Sequence, residues 1–340
     1  MSARVGATPA RSEVAVVAFL AFVSVLMAFG IDAALPAFDE LSRDFGLDAR
    51  GLSPAITGTP YFVGMAIGQL IFGVLADRFG RRPIMMVGLS VYALGALGAA
   101  TANGLGMLLV GRFVWGIGAA APAVLRMAIA RDLYAGERMA RVVSLVTAVF
   151  LIGPIVVPFI GEWILLSGSW RAVFAVAIAL AAVALAWAFA FGETLAPEHR
   201  QKFALRPLLQ GYGQLVGNPR FVALVLASGI PFNGLFLYVL SAPEWLGTHL
   251  QLGPTQYFWF FSLEISGIMA GAWLSGRLAG RTPPRRQIRL GFSIMVAASI
   301  INVLAKVAAT RVCSLINLYL SLEGRRRAPR CRRTQPGLRC

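Results

Sequence analysis

A 340-residue chain that is 58% hydrophobic and only 14% charged, with a mean hydropathy of +0.72, cannot clothe a water-soluble globule in charge. Its formal net charge of +16 is divided among separate loops, which excludes the continuous basic face that nucleic acid requires. All three cysteines, Cys313, Cys331 and Cys340, lie near the C-terminus, and no histidine pair or cysteine spacing suits a metal. No disulfide framework, metal or other cofactor is therefore expected.

Segments of about 20 mostly apolar residues cross a bilayer as helices, at 1.5 Å per residue. Nine are read in chain order, at about 14–37, 55–76, 84–102, 105–127, 142–165, 171–192, 220–243, 255–276 and 289–308. They predict an all-α polytopic membrane protein, and the 36 glycines suit close helix packing in lipid. The first run ends without a small-residue cleavage site and is read as a retained span. Basic loops face the cytoplasm. With Arg4 and Arg11 there, the inner loops hold Arg78, Arg81 and Arg82, then Arg131, Arg138 and Arg141, then Arg200, Lys202 and Arg206, then Arg277, Arg281, Arg285 and Arg286. Through the eighth span the outer loops hold only Arg43, Arg50 and Arg171, and the first is acidic, with Asp39, Glu40, Asp44 and Asp48. A multi-pass protein of the plasma (inner) membrane with a cytoplasmic N-terminus is expected. Trp163, Trp170 and Trp245 read as interface anchors.

The stretch GVLADRFGRRPIMMVG at 73–88 returns as GRLAGRTPPRRQIRLG at 276–291, an offset of 203 residues. Gly73, Leu75, Ala76, Arg78, Arg82 and Gly88 match Gly276, Leu278, Ala279, Arg281, Arg285 and Gly291. The same offset carries spans 1 to 3 onto spans 7 to 9. The chain is thus read as a six-helix N-terminal bundle at 1–192, a cytoplasmic linker at 193–219, a partial C-terminal bundle of three spans at 220–308, and an aberrant basic tail at 309–340.

GVLADRFGRR resembles the loop 2–3 signature of the major facilitator superfamily. LLVGRFVWGIGAA in span 4 resembles a second signature of that family, departing at Trp115, where drug exporters often carry Gln. GPIVVPFIGE in span 5 resembles the antiporter signature, departing at Val157 and Glu162. IDAALPAF, AIARDLY and SWRAVF resemble the bicyclomycin-resistance (Bcr/CflA) branch of drug–proton antiporters. The resemblance covers about 14–308 and implies the major facilitator fold. It also implies proton-coupled multidrug efflux by alternating access, with small-molecule substrates and protons as partners. No ATP-binding glycine-rich loop is present.

The residues suggest how such a machine would work. Gly73, Asp77, Arg78, Gly80, Arg81 and Arg82 form a charged turn able to latch one state. Its glycines permit the turn, Asp77 meets a helix N-terminus or an arginine across the halves, and the arginines hold lipid phosphates or carboxylates. Gly153, Pro154, Pro158 and Gly161 make span 5 a bent helix with a smooth face. A carboxylate at bilayer depth costs about 2.5–3.5 kcal/mol on insertion scales. Asp32 in span 1 and Glu264 in span 8 are therefore candidate proton-coupling residues, and Arg112 lies at similar depth to Asp32, where a switchable pair would form. Tyr61, Phe62, Phe232, Asn233, Phe236 and Tyr238, with Phe258 and Trp259, are candidates for an apolar substrate wall.

From about residue 308 the repeat fails. The run 312–322 is too short to span, and eight arginines fall within 311–339. The complete repeat needs about 395 residues. Loss of reading frame, with spans 10 to 12 missing, is the reading preferred to a natural basic tail. Export or import of a metabolite such as a sugar or amino acid, or a non-functional truncated membrane protein, are the alternative readings. An enzyme is not expected, since no nucleophile, base and orienting group are arranged together, and a monomer is.

Overall fold

The computed structural model describes residues 12–201 and 205–227, and beyond them 229–230, 233–234, 237, 266–271, 274, 282–283 and 285–304. The chain divides into two compact units, split between Ser266 and Gly267. Among the described residues all regular structure is helical.

In the first unit α1 runs Glu13–Asp32, opened by Ser12, whose hydroxyl accepts the Ala15 N–H, with Glu13 in the first turn. A 3-10 turn at Leu35–Ala37 leads into α2, Phe38–Phe45, closed by Gly46 in the left-handed region. Then follow α3 (Thr59–Phe79), α4 (Arg81–Ala100), α5 (Leu105–Leu133), α6 (Gly136–Ser167), α7 (Trp170–Phe191) and α8 (Leu205–Gly217). In the second unit α9 spans Arg285–Leu304.

Six helices of the first unit are long and apolar enough to cross a membrane if α6, bent by 43° at Pro154–Val156, counts as one; α9 also qualifies. These match predicted spans 1 to 6 and span 9, while predicted spans 7 and 8 lie largely outside the described residues. The spans are apolar on all sides, as lipid-embedded helices are. Val63, Ile67, Leu70 and Ile71 on α3, Leu94 on α4 and Phe189 on α7 remain exposed, a surface that hydrocarbon accommodates. The chain is an integral membrane protein.

From Val16 onward α1 is mostly buried, and α3, α4, α5, α6 and α7 pack around it or around one another. Glycines allow the close contacts. A Cβ on Gly64 or Gly116 would fall on the backbone carbonyls of Phe113 or Tyr61, so α3 and α5 touch main chain to main chain. The start of α1 and the end of α5 lie at one level, with Glu13 near Tyr134. This is called the basic end below.

Within span 1 the α-helix pauses at Asp32, and after the 3-10 turn the acidic segment folds as the amphipathic α2, with Leu41 and Phe45 buried. One expectation is corrected. Trp170 is no interface anchor. It is wholly buried, its indole N–H donating to Asp44 and its ring packed on Phe45 and Phe174, because α2 folds down over the start of α7. Trp163 is 76% exposed, as an anchor would be, and Trp245 lies outside the described residues.

Candidate functional site

Arg112 reaches the centre of the bundle from α5 and is 2% exposed. Its Nη1 donates to the Gly30 carbonyl at 2.7 Å and its Nε to the Thr57 carbonyl at 3.0 Å. Both carbonyls belong to final helical turns, of α1 and of the 3-10 turn Pro54–Thr57, where carbonyls lack intrahelical partners. The cation thus closes two negative helix ends. The rings of Tyr61, Trp115 and Phe174 surround it at 5.0, 5.0 and 5.7 Å.

Asp32 is the last residue of α1 and 3% exposed. Among the described residues its carboxylate has neither a hydrogen bond nor an ion pair. The expected contact with Arg112 is not made in this structure, where two of the guanidinium's N–H donors go to backbone carbonyls. Gly161 of α6 packs on the Ala33 carbonyl beside Asp32, and Gly153 packs on Ala28. The smooth face expected of span 5 therefore rides on α1 at the acid, and the bend falls at Pro154, four residues before Pro158.

Tyr61 was expected on a cavity wall. Here it is wholly buried, donating its hydroxyl proton to the Met27 carbonyl at 3.1 Å and meeting Trp115 edge-on. It joins α1, α3 and α5 and presents no free face. Phe62 is half-buried beside it, and Asn233 is exposed on a short helical stretch. Trp115, the departure from Gln, is 1% exposed and contacts Tyr61, Tyr92 and Phe174 edge-on, its indole N–H without a partner among the described residues. Phe232, Phe236, Tyr238 and Glu264 lie outside the described residues, as do Phe258 and Trp259.

At the basic end the charged turn is assembled. α3 stops at Gly80, whose φ of 104° favours glycine, and α4 begins at the next residue. Arg81 bridges Asp77 at 2.5 Å and Asp132 at the end of α5 at 2.8 Å. Glu193, just past α7, accepts the Arg81 N–H at 2.8 Å and the Arg82 N–H at 3.3 Å, capping α4 with a carboxylate. A Cβ on Gly80 would strike that carboxylate. The Arg82 guanidinium lies over Phe189 and that of Arg78 over Phe79, while Gly73 faces Val124 with ordinary clearance. Asp77 meets an arginine of its own turn, and its carbonyl accepts the Gln201 N–H. Asp132 and Glu193 were not singled out from sequence. The signal was available: both are acids near the basic-end terminus of a span, in AIARDLY and GETL.

The opposite end carries a second clasp. Glu40 accepts the Trp170 N–H at 2.9 Å, Asp44 accepts the Trp170 indole N–H at 2.7 Å, and Arg171 lies 3.6 Å from Asp44. Among the described residues no cluster of acids, histidines or cysteines could hold a metal.

Lipid-exposed spans, a broken helix seated on a buried acid and a charged clasp at each end are the parts of a secondary membrane transporter, not of an enzyme. Residues 20–322 match the Major Facilitator Superfamily, and the chain belongs to that family. Within it the chain falls with the bicyclomycin-resistance branch. It is 30% identical over 277 residues to the bicyclomycin resistance protein homolog of Haemophilus influenzae, covering 81% of this chain and 69% of that protein. It is 29% identical over 246 residues to multidrug resistance protein D of Escherichia coli, covering 72% and 60%. Among solved structures it is similar to the partially occluded, inward-open xylose transporter of E. coli, with a TM-score of 0.61, 16% identity and 77% and 73% covered. At that identity the likeness is one of fold. The family match runs into the C-terminal tail.

Proposed function

We propose that this chain belongs to a proton-coupled exporter of amphipathic small molecules, drugs among them, working by alternating access in the plasma membrane with the N-terminus in the cytoplasm. The relatives named for bicyclomycin and multidrug resistance support the substrate class. The observation that carries the coupling is the acid at the end of α1, buried and, among the described residues, without a hydrogen bond or ion pair, two residues past the Gly30 carbonyl that holds Arg112.

Protonation of Asp32 neutralises the α1 end and lets α6 move on it. Loss of the proton draws Arg112 off the Gly30 carbonyl and onto the carboxylate, which shifts α1 against α5. The Asp77–Arg81–Asp132 bridge and the Glu193 cap close the cytoplasmic end in one state and open in the other. Glu264 is a second acid for the same cycle, and the aromatic residues of spans 7 and 8 complete the cavity from a partial C-terminal bundle beyond a linker at 193–219. One proton entering down 100 mV releases about 2.3 kcal/mol, which sustains a gradient of roughly fifty-fold for a neutral compound.

The test is efflux of a fluorescent dye from vesicles holding the purified chain, driven by an imposed pH difference. Efflux that depends on the gradient and is lost in Asp32→Asn is expected. Gradient-driven efflux that persists in Asp32→Asn would remove the acid from the mechanism, and no gradient-driven movement of any compound in a panel of dyes, sugars and amino acids would remove the function.

A further inference from the structure

Arg126 lies on α5 about two turns before its end at Leu133, roughly 10 Å in from the basic end. Helical side chains lean toward the N-terminus of their helix, which for α5 is the far end. The guanidinium follows that direction, and its Nη1 donates to Ser24 Oγ on α1 at 3.1 Å. Ser24 lies roughly 16 Å along α1 from Glu13, at the same basic end. The cation therefore reaches inward, the reverse of an arginine that snorkels to the headgroups.

A guanidinium carries five N–H donors. Arg126 commits one of them to Ser24, and among the described residues its other contact is the Phe150 ring at 4.7 Å. Among the described residues no carboxylate forms an ion pair with it. Arg112 differs: two of its donors close helix ends inside a box of rings. Beside Arg126 a cleft of about 10 Å³, the room of roughly one water, is walled by Leu20, Met127, Ala130, Val143, Val146 and Thr147. Apart from Thr147 the wall is apolar. Val143, Val146, Thr147 and Phe150 all belong to α6, the bent helix, so movement of α6 away from α5 widens this cleft.

We propose that Arg126 receives the anionic group of an amphipathic organic acid, whose carboxylate takes the uncommitted N–H donors while its apolar body lies along Leu20, Met127, Val143 and Val146. The planar fork suits a carboxylate, and a single cation in an apolar cleft selects a monoanion. The proposal rests on the transport reading above and narrows its substrate class.

The experiment measures binding without a gradient, by calorimetry on the purified chain in lipid nanodiscs. The probes are 2-naphthoate, the uncharged 2-naphthamide and the cationic 2-naphthylmethylammonium. The wild-type chain is expected to bind the acid about 10- to 100-fold more tightly than the amide, the worth of a charge-assisted hydrogen bond. Arg126→Gln removes that preference, and Arg126→Lys, which keeps the charge without the fork, keeps part of it. Should Arg126→Gln fail to fold, phenylglyoxal modification of the wild-type chain decides. Naphthoate shields Arg126 from the reagent, as read by mass spectrometry, and the amide does not. Equal binding of acid and amide, an acid preference retained in Arg126→Gln, or an Arg126 left unshielded would each overturn the site. A chain that pumps a neutral dye but shows no acid preference keeps the transport reading and loses this site. One that shows preference and shielding but transports nothing keeps the site and loses the transport reading.

Discussion

At the scale of single residues, three polar side chains inside the bundle differ in the contacts they make, and each predicts a different mutational outcome. Arg112 holds two orphan carbonyls. Arg112→Leu leaves them unsatisfied in a water-free interior, where each lost partner costs about 1–3 kcal/mol. Its unfolding free energy in mixed micelles is expected to fall by that order, with transport lost for structural reasons. Asp32 has no hydrogen bond or ion pair to lose among the described residues, so Asp32→Asn should abolish proton-driven efflux and leave the thermal midpoint in detergent essentially unchanged. A large drop in that midpoint would mean that Asp32 holds the fold together. Trp115 fills a space between Tyr61, Tyr92 and Phe174. Trp115→Phe keeps most of that volume and is expected to cost less than Trp115→Ala, which leaves a cavity costing about 3–5 kcal/mol.

At the scale of elements, the glycines and the two clasps set which helices can slide and which cannot. α3 and α5 meet at Gly64 and Gly116 with backbone against backbone. Gly116→Val has nowhere to put its side chain except into the Tyr61 main chain, so the variant is expected to aggregate rather than elute as a single species in detergent. Gly161→Ala presses on Ala33 next to Asp32. It should slow transport more than it destabilises the fold, a split read by comparing efflux rate with thermal midpoint. At the basic end Glu193 caps the first two N–H groups of α4. Glu193→Gln keeps an acceptor but loses the charge, and Glu193→Ala loses both. Helix-capping energies put the alanine variant about 1–2 kcal/mol below wild type, with the glutamine variant between them. The bend in α6 has a local cause as well, since Pro154 lacks the N–H that would continue the ladder.

At the scale of the whole molecule, the orientation in the membrane is the statement most open to direct test. Single cysteines introduced at Arg78 and at Asp48, in a chain whose native cysteines are replaced, should react with a membrane-impermeant thiol reagent from opposite sides. Arg78→Cys is expected to label only in inside-out vesicles and Asp48→Cys only in right-side-out ones. The reverse pattern would invert the topology and, with it, the direction proposed for the gate.

The sequence by itself determined the number and place of the first six spans, the basic and acidic ends, the charged turn at 73–82 and the bend in span 5. These depend on local features: apolar length, the asymmetry of Lys and Arg between loops, and the lack of an N–H at proline. What only the tertiary structure decided is which charge meets which. Arg112 and Asp32 share a depth, yet the guanidinium turns to the Gly30 and Thr57 carbonyls, because in a dry interior orphan helix ends compete for a cation. Asp77 and Arg81 are neighbours on one turn, but Asp132 and Glu193 reach that turn from α5 and α7, distant in the chain. Tyr61 reads as a cavity-wall residue and Trp170 as an interface anchor in the sequence, and both are core residues in the fold, since burial is set by the helix that packs over them. Arg126, one basic residue among many in the sequence, stands apart only when the distances show how few of its donors are taken.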